Sequence, residues 1–476
     1  MEFVASILDL YLVFVITYFI AVNITYTIFL VVSYKEILSH MRHNLFSNYR
    51  LLVQSELTPT ISILAPAFNE ETTVIESVKS LLKLSYGTYE VVVINDGSRD
   101  NTLQRLITEF GMFKSRRIYE PLIRARDVKG IYRSNLPEYR NLVVVDKENG
   151  GKADALNVGI NIAQFEYVCC IDADSLLEAD ALQKVVKPFL EDDTVIAVGG
   201  IVRIANGCNV VNGRVVDVGL SRRWIPVFQV VEYFRAFLSG RMFWHGYNGL
   251  LIISGAFGLF KRSAVIEAGG YKPDTVGEDM ELVTRLHRMK REKREPYRIA
   301  FVPDPVCWTE VPESLRVLAR QRNRWHRGLL DTMLIHRALL LNARYGVVGL
   351  AAMPYFVMVE LLGPLFEFFG YFVVLFLLVL GALNVQMAIL FFVVALFYGV
   401  MYSVGAVLLE EISFQRYPNP RDLATLISFG ILENFGYRQM TVWWRVKAFW
   451  DYFRGAHAWG AMQRKGFAGA KARMSA

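Results

Sequence analysis

Several short stretches of this chain place carboxylates, glycines and cations where they can act on a charged ligand. The apolar run Val91–Ile94 ends in Asp96 and Gly97. An Asp at a strand end accepts hydrogen bonds from a base or ribose, and the glycine lets backbone approach a ligand closely. Asp-Gly-Ser is equally an ordinary turn. The run Tyr167–Ile171 ends in Asp172 and Asp174. Two carboxylates two apart after a buried strand suit a hard divalent cation, which can also bridge a diphosphate. Between these strands lie Gly150, Gly151 and Lys152. Glycines before a helix start bring backbone N–H groups near phosphate, and Lys152 adds a positive charge. The spacing is not that of a P-loop, and the plain alternative is a tight turn with a surface lysine.

Two further groups lie downstream. Glu278 and Asp279 open a helix-like stretch, Met280–Lys290. Carboxylates are favourable at a helix N-terminus, and one there can also be a general base aimed at a hydroxyl. Gln321, Arg324 and Trp325 share one face of an amphipathic helix after Pro312, by the i, i+3, i+4 rule. They suit a sugar or a diphosphate; Arg and Trp also anchor an interfacial helix at lipid headgroups.

The elements that must position these residues alternate. Short Val- and Ile-rich runs, Ile61–Ala65, Val91–Ile94, Leu142–Val145, Tyr167–Ile171 and Val195–Val198, are separated by helix-like stretches such as Thr73–Leu84, Ala153–Ala163 and Ala179–Leu190. This predicts an α/β domain with a mostly parallel sheet buried on both faces, and ligands beyond the carboxyl ends of its strands. Hydrophobic residues reach 53%, above the soluble norm of about 45–50%, so the α/β domain adjoins membrane segments. Leu8–Val32 is long enough to cross a bilayer; without a basic region before it or a small-residue cleavage site after it, it predicts an anchor rather than a signal peptide. Further segments are expected near Tyr345–Leu362, Leu365–Leu383, Met387–Leu409 and Leu423–Trp444, the last either a crossing or an interfacial helix. Three parts follow: 1–50 as helix and linker, 51–340 as the α/β domain, 341–476 as a membrane bundle and tail. The charge of +7 fits the basic excess of cytoplasmic loops, and no basic-aromatic groove for nucleic acid stands out. By the same rule the α/β domain faces the cytoplasm from an inner or plasma membrane. The four cysteines show no Cys-x-x-Cys spacing, against a zinc site.

Asp96, Asp172 with Asp174, Glu278 with Asp279, and Gln321, Arg324 and Trp325, in that order, resemble the processive branch of glycosyltransferase family 2, which includes cellulose, chitin, hyaluronan and poly-N-acetylglucosamine synthases. Ala65, Pro66, Asn69 and Glu70 in one segment, and Ser254, Gly255, Ala256 and Phe257 in another, match family segments as well. The resemblance covers about residues 60–330. It implies a GT-A (Rossmann-like) catalytic domain between an N-terminal transmembrane helix and a C-terminal helical bundle. It also implies inverting, processive transfer from a UDP-sugar to a β-linked polysaccharide. Asp96 and the Ala65–Glu70 loop then contact the nucleotide, Lys152 lies near the diphosphate, and Asp172 and Asp174 hold Mg²⁺ or Mn²⁺. Asp279 is the base, and Gln321, Arg324 and Trp325 shape the acceptor and diphosphate site. Trp459 and Arg464 resemble, more loosely, a Trp-Gly segment that folds over the nucleotide in hyaluronan and chitin synthases; a basic-aromatic surface tail is the alternative. The gating loop and cyclic-dinucleotide domain of cellulose synthases have no counterpart. Transfer of one sugar to a lipid carrier is the rival reaction, and a non-enzymatic membrane scaffold the rival of another kind. Glu360 and Glu367, beside apolar segments, are expected to face a bundle interior. Residues 206–247 receive no role.

Overall fold

The computed structural model describes residues 2–45, 58–211, 213–381 and 383–455. The strands are β1 (Ile61–Ala67), β2 (Tyr89–Asn95), β3 (Met112–Ser115), β4 (Val128–Ser134), β5 (Leu142–Lys147) and β6 (Tyr167–Ile171). They continue as β7 (Leu176–Leu177), β8 (Val195–Ile204), β9 (Asn209–Val211), β10 (Arg214–Asp217), β11 (Phe257–Lys261) and β12 (Arg298–Thr309). Ten of them form one sheet in the order β3-β4-β5-β2-β1-β6-β11-β8-β12-β7. Every residue of β2, β6 and β8 is buried, as expected of strands covered on both faces.

The five predicted strands and three predicted helices are all present. The sheet is mixed rather than mostly parallel. β5, β2, β1 and β6 run parallel, and so do β8 and β12. β11 is inserted antiparallel between β6 and β8, and β4 reverses at the other side. The reversal of β11 has a use: its register sets Phe257 opposite Ile171, so the turn before β11 lies beside the carboxylates that follow β6. The parallel register of β1 with β2 and β6 brings Ala67, Asp96 and Asp172 to one edge.

Outside the sheet, α1 (Glu2–Leu45) leads the chain. Then come α2 (Lys152–Ile162), α3 (Trp224–Phe234), α4 (Glu278–Lys293) and α5 (Leu315–Ile335). Among the described residues, three helical runs are long and apolar enough to cross a membrane: Leu10–Asn44 within α1, Val348–Val379 (α6) and Val385–Ser413 (α7). The segments expected at 345–362 and 365–383 are therefore one continuous run, since Pro364 stands in the first turn of its helix, where proline is tolerated. The segment expected at 423–444 is broken into α8 (Pro420–Leu432) and α9 (Tyr437–Phe453) at Gly436, whose φ is +95°.

Ion pairs tie the membrane helices to the rest. Arg203 of β8 meets Glu410 of α7 in a two-pronged pair at 2.8 and 2.7 Å, both side chains almost fully buried. Arg235 reaches Glu433 and Ser403. Glu367 accepts from Arg438 at 2.8 and 3.0 Å, and Glu360 lies 3.3 Å from Arg445, so both glutamates in question have cationic partners on α9.

Candidate active site

The loop after β2 is built on Asp96. Its Oδ1 lies 2.5 Å from Lys147 Nζ and accepts from Gly150 N at 2.9 Å. Its Oδ2 accepts from Gly151 N at 2.8 Å and from Asn149 Nδ2 at 3.2 Å. Lys147 is fully buried and also lies 2.7 Å from Asp154. A buried ammonium between two carboxylates, with backbone donors filling the remaining lone pairs, satisfies the conditions under which such a charge is tolerated. Gly97 has φ +64°, and a Cβ there would lie 2.8 Å from Asn149 N. Asp96 thus fixes the 147–151 loop from beneath instead of standing open at the surface.

The loop after β1 interlocks with this one. Ala65 and Pro66 fall within β1. Asn69, at φ 55°, accepts from Arg99 N at 2.9 Å and donates its own N–H to Ser98 Oγ at 3.0 Å. Glu70 N donates to Thr102 Oγ1 at 2.9 Å, and the Glu70 carboxylate accepts from Thr73 at 2.6 Å.

Across the edge, Lys152 opens α2 and points over the end of β6. Its Nζ lies 2.5 Å from Asp172 Oδ1, donates to Gly255 O at 3.0 Å and lies 4.0 Å from Glu278 Oε1. Burial opposes its charge, but Asp172, Glu278 and Asp279 together hold the ammonium well above the ordinary lysine range. Asp174, two residues on, is buried. Asp172 and Asp174 fit a divalent cation: Mg²⁺ and its analogues usually take one or two carboxylates and complete their shell with water and substrate phosphate. Among the described residues no group of three or more His, Cys, Asp or Glu gathers as an all-protein cage.

Asp279 stands at the start of α4. Its Oδ2 accepts from Gly255 N at 2.9 Å, and its Oδ1 from Met280 N at 2.8 Å. The turn that supplies Gly255 is held by Ser254, whose carbonyl accepts from Phe257 N at 3.0 Å and whose hydroxyl lies 3.4 Å from Ala256 N. Burial pushes the Glu278 carboxyl up to about 7; Lys152 draws it down and Asp279 raises it further. Lys152, Ser254, Gly255, Tyr271, Glu278 and Asp279 line one small cavity.

The third wall is α5. Ser314 caps it, accepting from Val317 N at 3.4 Å. Gln321 is buried, while Trp325 is 44% exposed and available to a ligand. Arg324 is close enough to Glu278 to favour its charged form. Gly328 packs against Gly277, which docks α5 directly onto the start of α4.

The predicted residues Lys152, Asp172, Asp174, Ser254, Gly255, Glu278 and Asp279 are thus neighbours, with Arg324 beside them. Asp96 and the Ala65–Glu70 loop adjoin through the 147–151 loop. Trp459 and Arg464 lie outside the described residues. Lys147 and Asn149 were not anticipated from the sequence, although a lysine closing the buried, valine-rich strand β5 was a legible signal. Nor was Arg322, which pairs with Glu232 and stacks over Trp325 at 4.4 Å; its spacing of three from Trp325 was legible.

Three family descriptions match the chain: Glycosyl transferase family 2 over residues 62–118, Glycosyltransferase like family 2 over 125–328, and Chitin synthase over 272–415. The chain is 31% identical over 275 residues to the poly-beta-1,6-N-acetyl-D-glucosamine synthase of Staphylococcus aureus, covering 58% of this chain and 55% of that protein. It is 32% identical over 290 residues to the synthase of the same name from Staphylococcus epidermidis, covering 60% and 59%. The chain therefore spans little more than half the length of the curated relatives it matches. Among solved structures, a mannosyltransferase from Pyrobaculum calidifontis in complex with GDP-Man and Mn²⁺ aligns with 89% of this chain and 99% of its own, at 18% identity and a TM-score of 0.49. The resemblance drawn from the motifs is borne out by these matches: residues 62–118 and 125–328 match glycosyltransferase family 2, and the two relatives are polysaccharide synthases.

Proposed function

We propose that this chain transfers a sugar, with inversion, from a UDP-sugar to the growing end of a β-linked polysaccharide at a membrane, its catalytic domain facing the cytoplasm. UDP-N-acetylglucosamine is the first donor to test, since the two relatives are poly-N-acetylglucosamine synthases. The observation that carries the reading is the placing of Asp279. It is held by the Gly255 N–H, within one cluster with Lys152 and Asp172. A carboxylate so fixed has one oxygen edge set for removing a proton from an acceptor hydroxyl, and general bases contribute about 10²–10⁴-fold.

The chain's other residues take complementary parts. Lys152 meets the diphosphate, and Asp172 and Asp174 would hold Mg²⁺ or Mn²⁺. A cation there neutralises charge developing on the departing diphosphate. Asp96 acts on the nucleotide through the loop it shapes, and Gln321, Arg324 and Trp325 receive the acceptor end. Processive elongation, with passage of the product along the bundle, completes the proposal.

The test is UDP release by the full chain in lipid, with Mg²⁺ or Mn²⁺, across a panel of UDP-sugars, with sizing of the product. Release with one donor and a long product is expected. A single-sugar lipid product would replace elongation by the rival reaction, and no release from any donor would overturn the reading.

A further inference from the structure

Helix α3, within the stretch 206–247, reaches α5 at two places. Gln229, fully buried, donates to Pro312 O at 2.8 Å, shortly before α5 begins. Glu232 lies three residues on, along the same side of α3, and accepts from Arg322 Nη2. Both side chains of that pair are largely buried. The same Glu232 oxygen accepts from the Tyr437 hydroxyl at 3.1 Å, at the start of α9. The Tyr437 ring in turn stacks on Phe228 of α3, with centroids 4.4 Å apart. One carboxylate therefore joins α3, α5 and α9.

The guanidinium held by Glu232 also holds a ring. Arg322 Cζ lies 4.4 Å from the centre of the Trp325 indole, within cation–π range. Among the described residues no other cation or aromatic ring stacks on Trp325, which is 44% exposed. Left to itself an arginine side chain samples many rotamers, about 2 kcal/mol of entropy, and would hold the indole loosely. Pairing with Glu232 removes that freedom, so the setting of the exposed ring on α5 is fixed by a residue of α3.

We propose that Glu232 is a positioning residue for the acceptor: it fixes Arg322, and Arg322 fixes the Trp325 ring against which the acceptor sugar is seated. The assignment rests on the proposed function, in which Trp325 receives the acceptor end, and gives a task there to a segment outside the site. Through Tyr437 the same carboxylate ties the ring to α9, whose Arg438 and Arg445 pair with Glu367 and Glu360 of the membrane run α6.

The test compares the full chain in lipid with Glu232→Gln, Arg322→Lys and the double variant. The readouts are melting temperature, UDP affinity, and the division of sugar between acceptor-bound product and free monosaccharide. The donor is UDP-N-acetylglucosamine, or whichever UDP-sugar the panel selects. A poorly seated acceptor leaves the activated sugar to water, so free sugar gains at the expense of product. Arg322→Lys keeps a cation for Glu232 but not the planar face. It should melt close to wild type and bind UDP unchanged, while the ratio of product to free sugar falls by about ten- to hundredfold, the scale of an ~1 Å misplacement. Glu232→Gln should shift the ratio in the same direction. The double variant should be no worse than Arg322→Lys alone, because both changes act through one stack. Melting temperature, UDP affinity and turnover falling together at the wild-type ratio would make the pair structural. An unchanged ratio in stable variants would free Trp325 from the pair, and multiplying losses in the double variant would mean that the two residues act separately; each of these results overturns the proposal. A wild-type protein that releases no UDP from any donor would instead overturn the proposed function, and this inference with it.

Discussion

Gly277 and Gly328 meet so closely that a Cβ on Gly277 would lie 2.9 Å from the Gly328 Cα, and one on Gly328 would lie 2.8 Å from the Gly277 Cα. The obstacle on each side is backbone, which cannot rotate away. This contact fixes the distance between Asp279, two residues after Gly277, and Trp325, three before Gly328. A helix interior ordinarily favours Ala over Gly by about 1 kcal/mol. Here overpacking, about 1–3 kcal/mol, outweighs that preference. Gly328→Ala should therefore lower the melting temperature slightly and reduce UDP release on the order of a hundredfold, the scale of an ~1 Å misplacement. Wild-type turnover in that variant would show that the α4–α5 spacing does not set the site.

Asp279→Asn keeps the volume and the acceptor for the Gly255 N–H but not the basicity. Transfer should fall by about 10²–10⁴-fold while UDP affinity changes little. Equilibrium binding and UDP release measured on one preparation separate the two. Normal transfer would remove Asp279 from the role of base.

Lys147 stands between Asp96 and Asp154 with no exposure to solvent. Lys147→Met leaves two buried carboxylates without their cation, a loss of about 3–5 kcal/mol. The 147–151 loop loses its floor at the same time. Melting temperature and UDP affinity should drop together. Lower UDP affinity at an unchanged melting temperature would assign the residues to direct nucleotide contact instead.

A pH dependence follows from Glu281, one turn below the site on α4. Burial alone would raise its carboxyl, but His336, Arg285 and Lys272 hold it down to about 2. A folded value below the unfolded one means that the unfolded chain binds the proton first. The stability Glu281 contributes is full above about 4.5 and is lost as pH falls toward 2. Glu281→Gln should melt well below wild type at pH 7, and the gap should narrow steadily below pH ~4.5. A gap independent of pH would mean that the ion cluster is not its source.

What the sequence disclosed follows from locality. Strands such as Val91–Ile94 and Tyr167–Ile171 announce themselves by unbroken apolar runs, and the carboxylates that end them are read with them. The start of α4 at Glu278 was legible for the same reason. The antiparallel insertion of β11 was not, because strand direction is decided by which neighbours accept the chain, not by its own residues. The buried role of Asp96 was hidden because its partner Lys147 is 51 residues away in sequence. The membrane region misled in a particular way. Hydropathy marks apolar length, but continuity of 348–379 across Pro364 and the break at Gly436 depend on backbone geometry that hydropathy does not register.

The Arg203–Glu410 pair has a mechanical implication. Parting β8 from α7 would strand two almost fully buried charges, a barrier of about 3–5 kcal/mol before any other contact is lost. The reaction centre consequently sits at a constant height over the helix ends. Under the proposed function, a polymer lengthened at such a centre would be fed past a stationary wall, and the travelling component would be its own product.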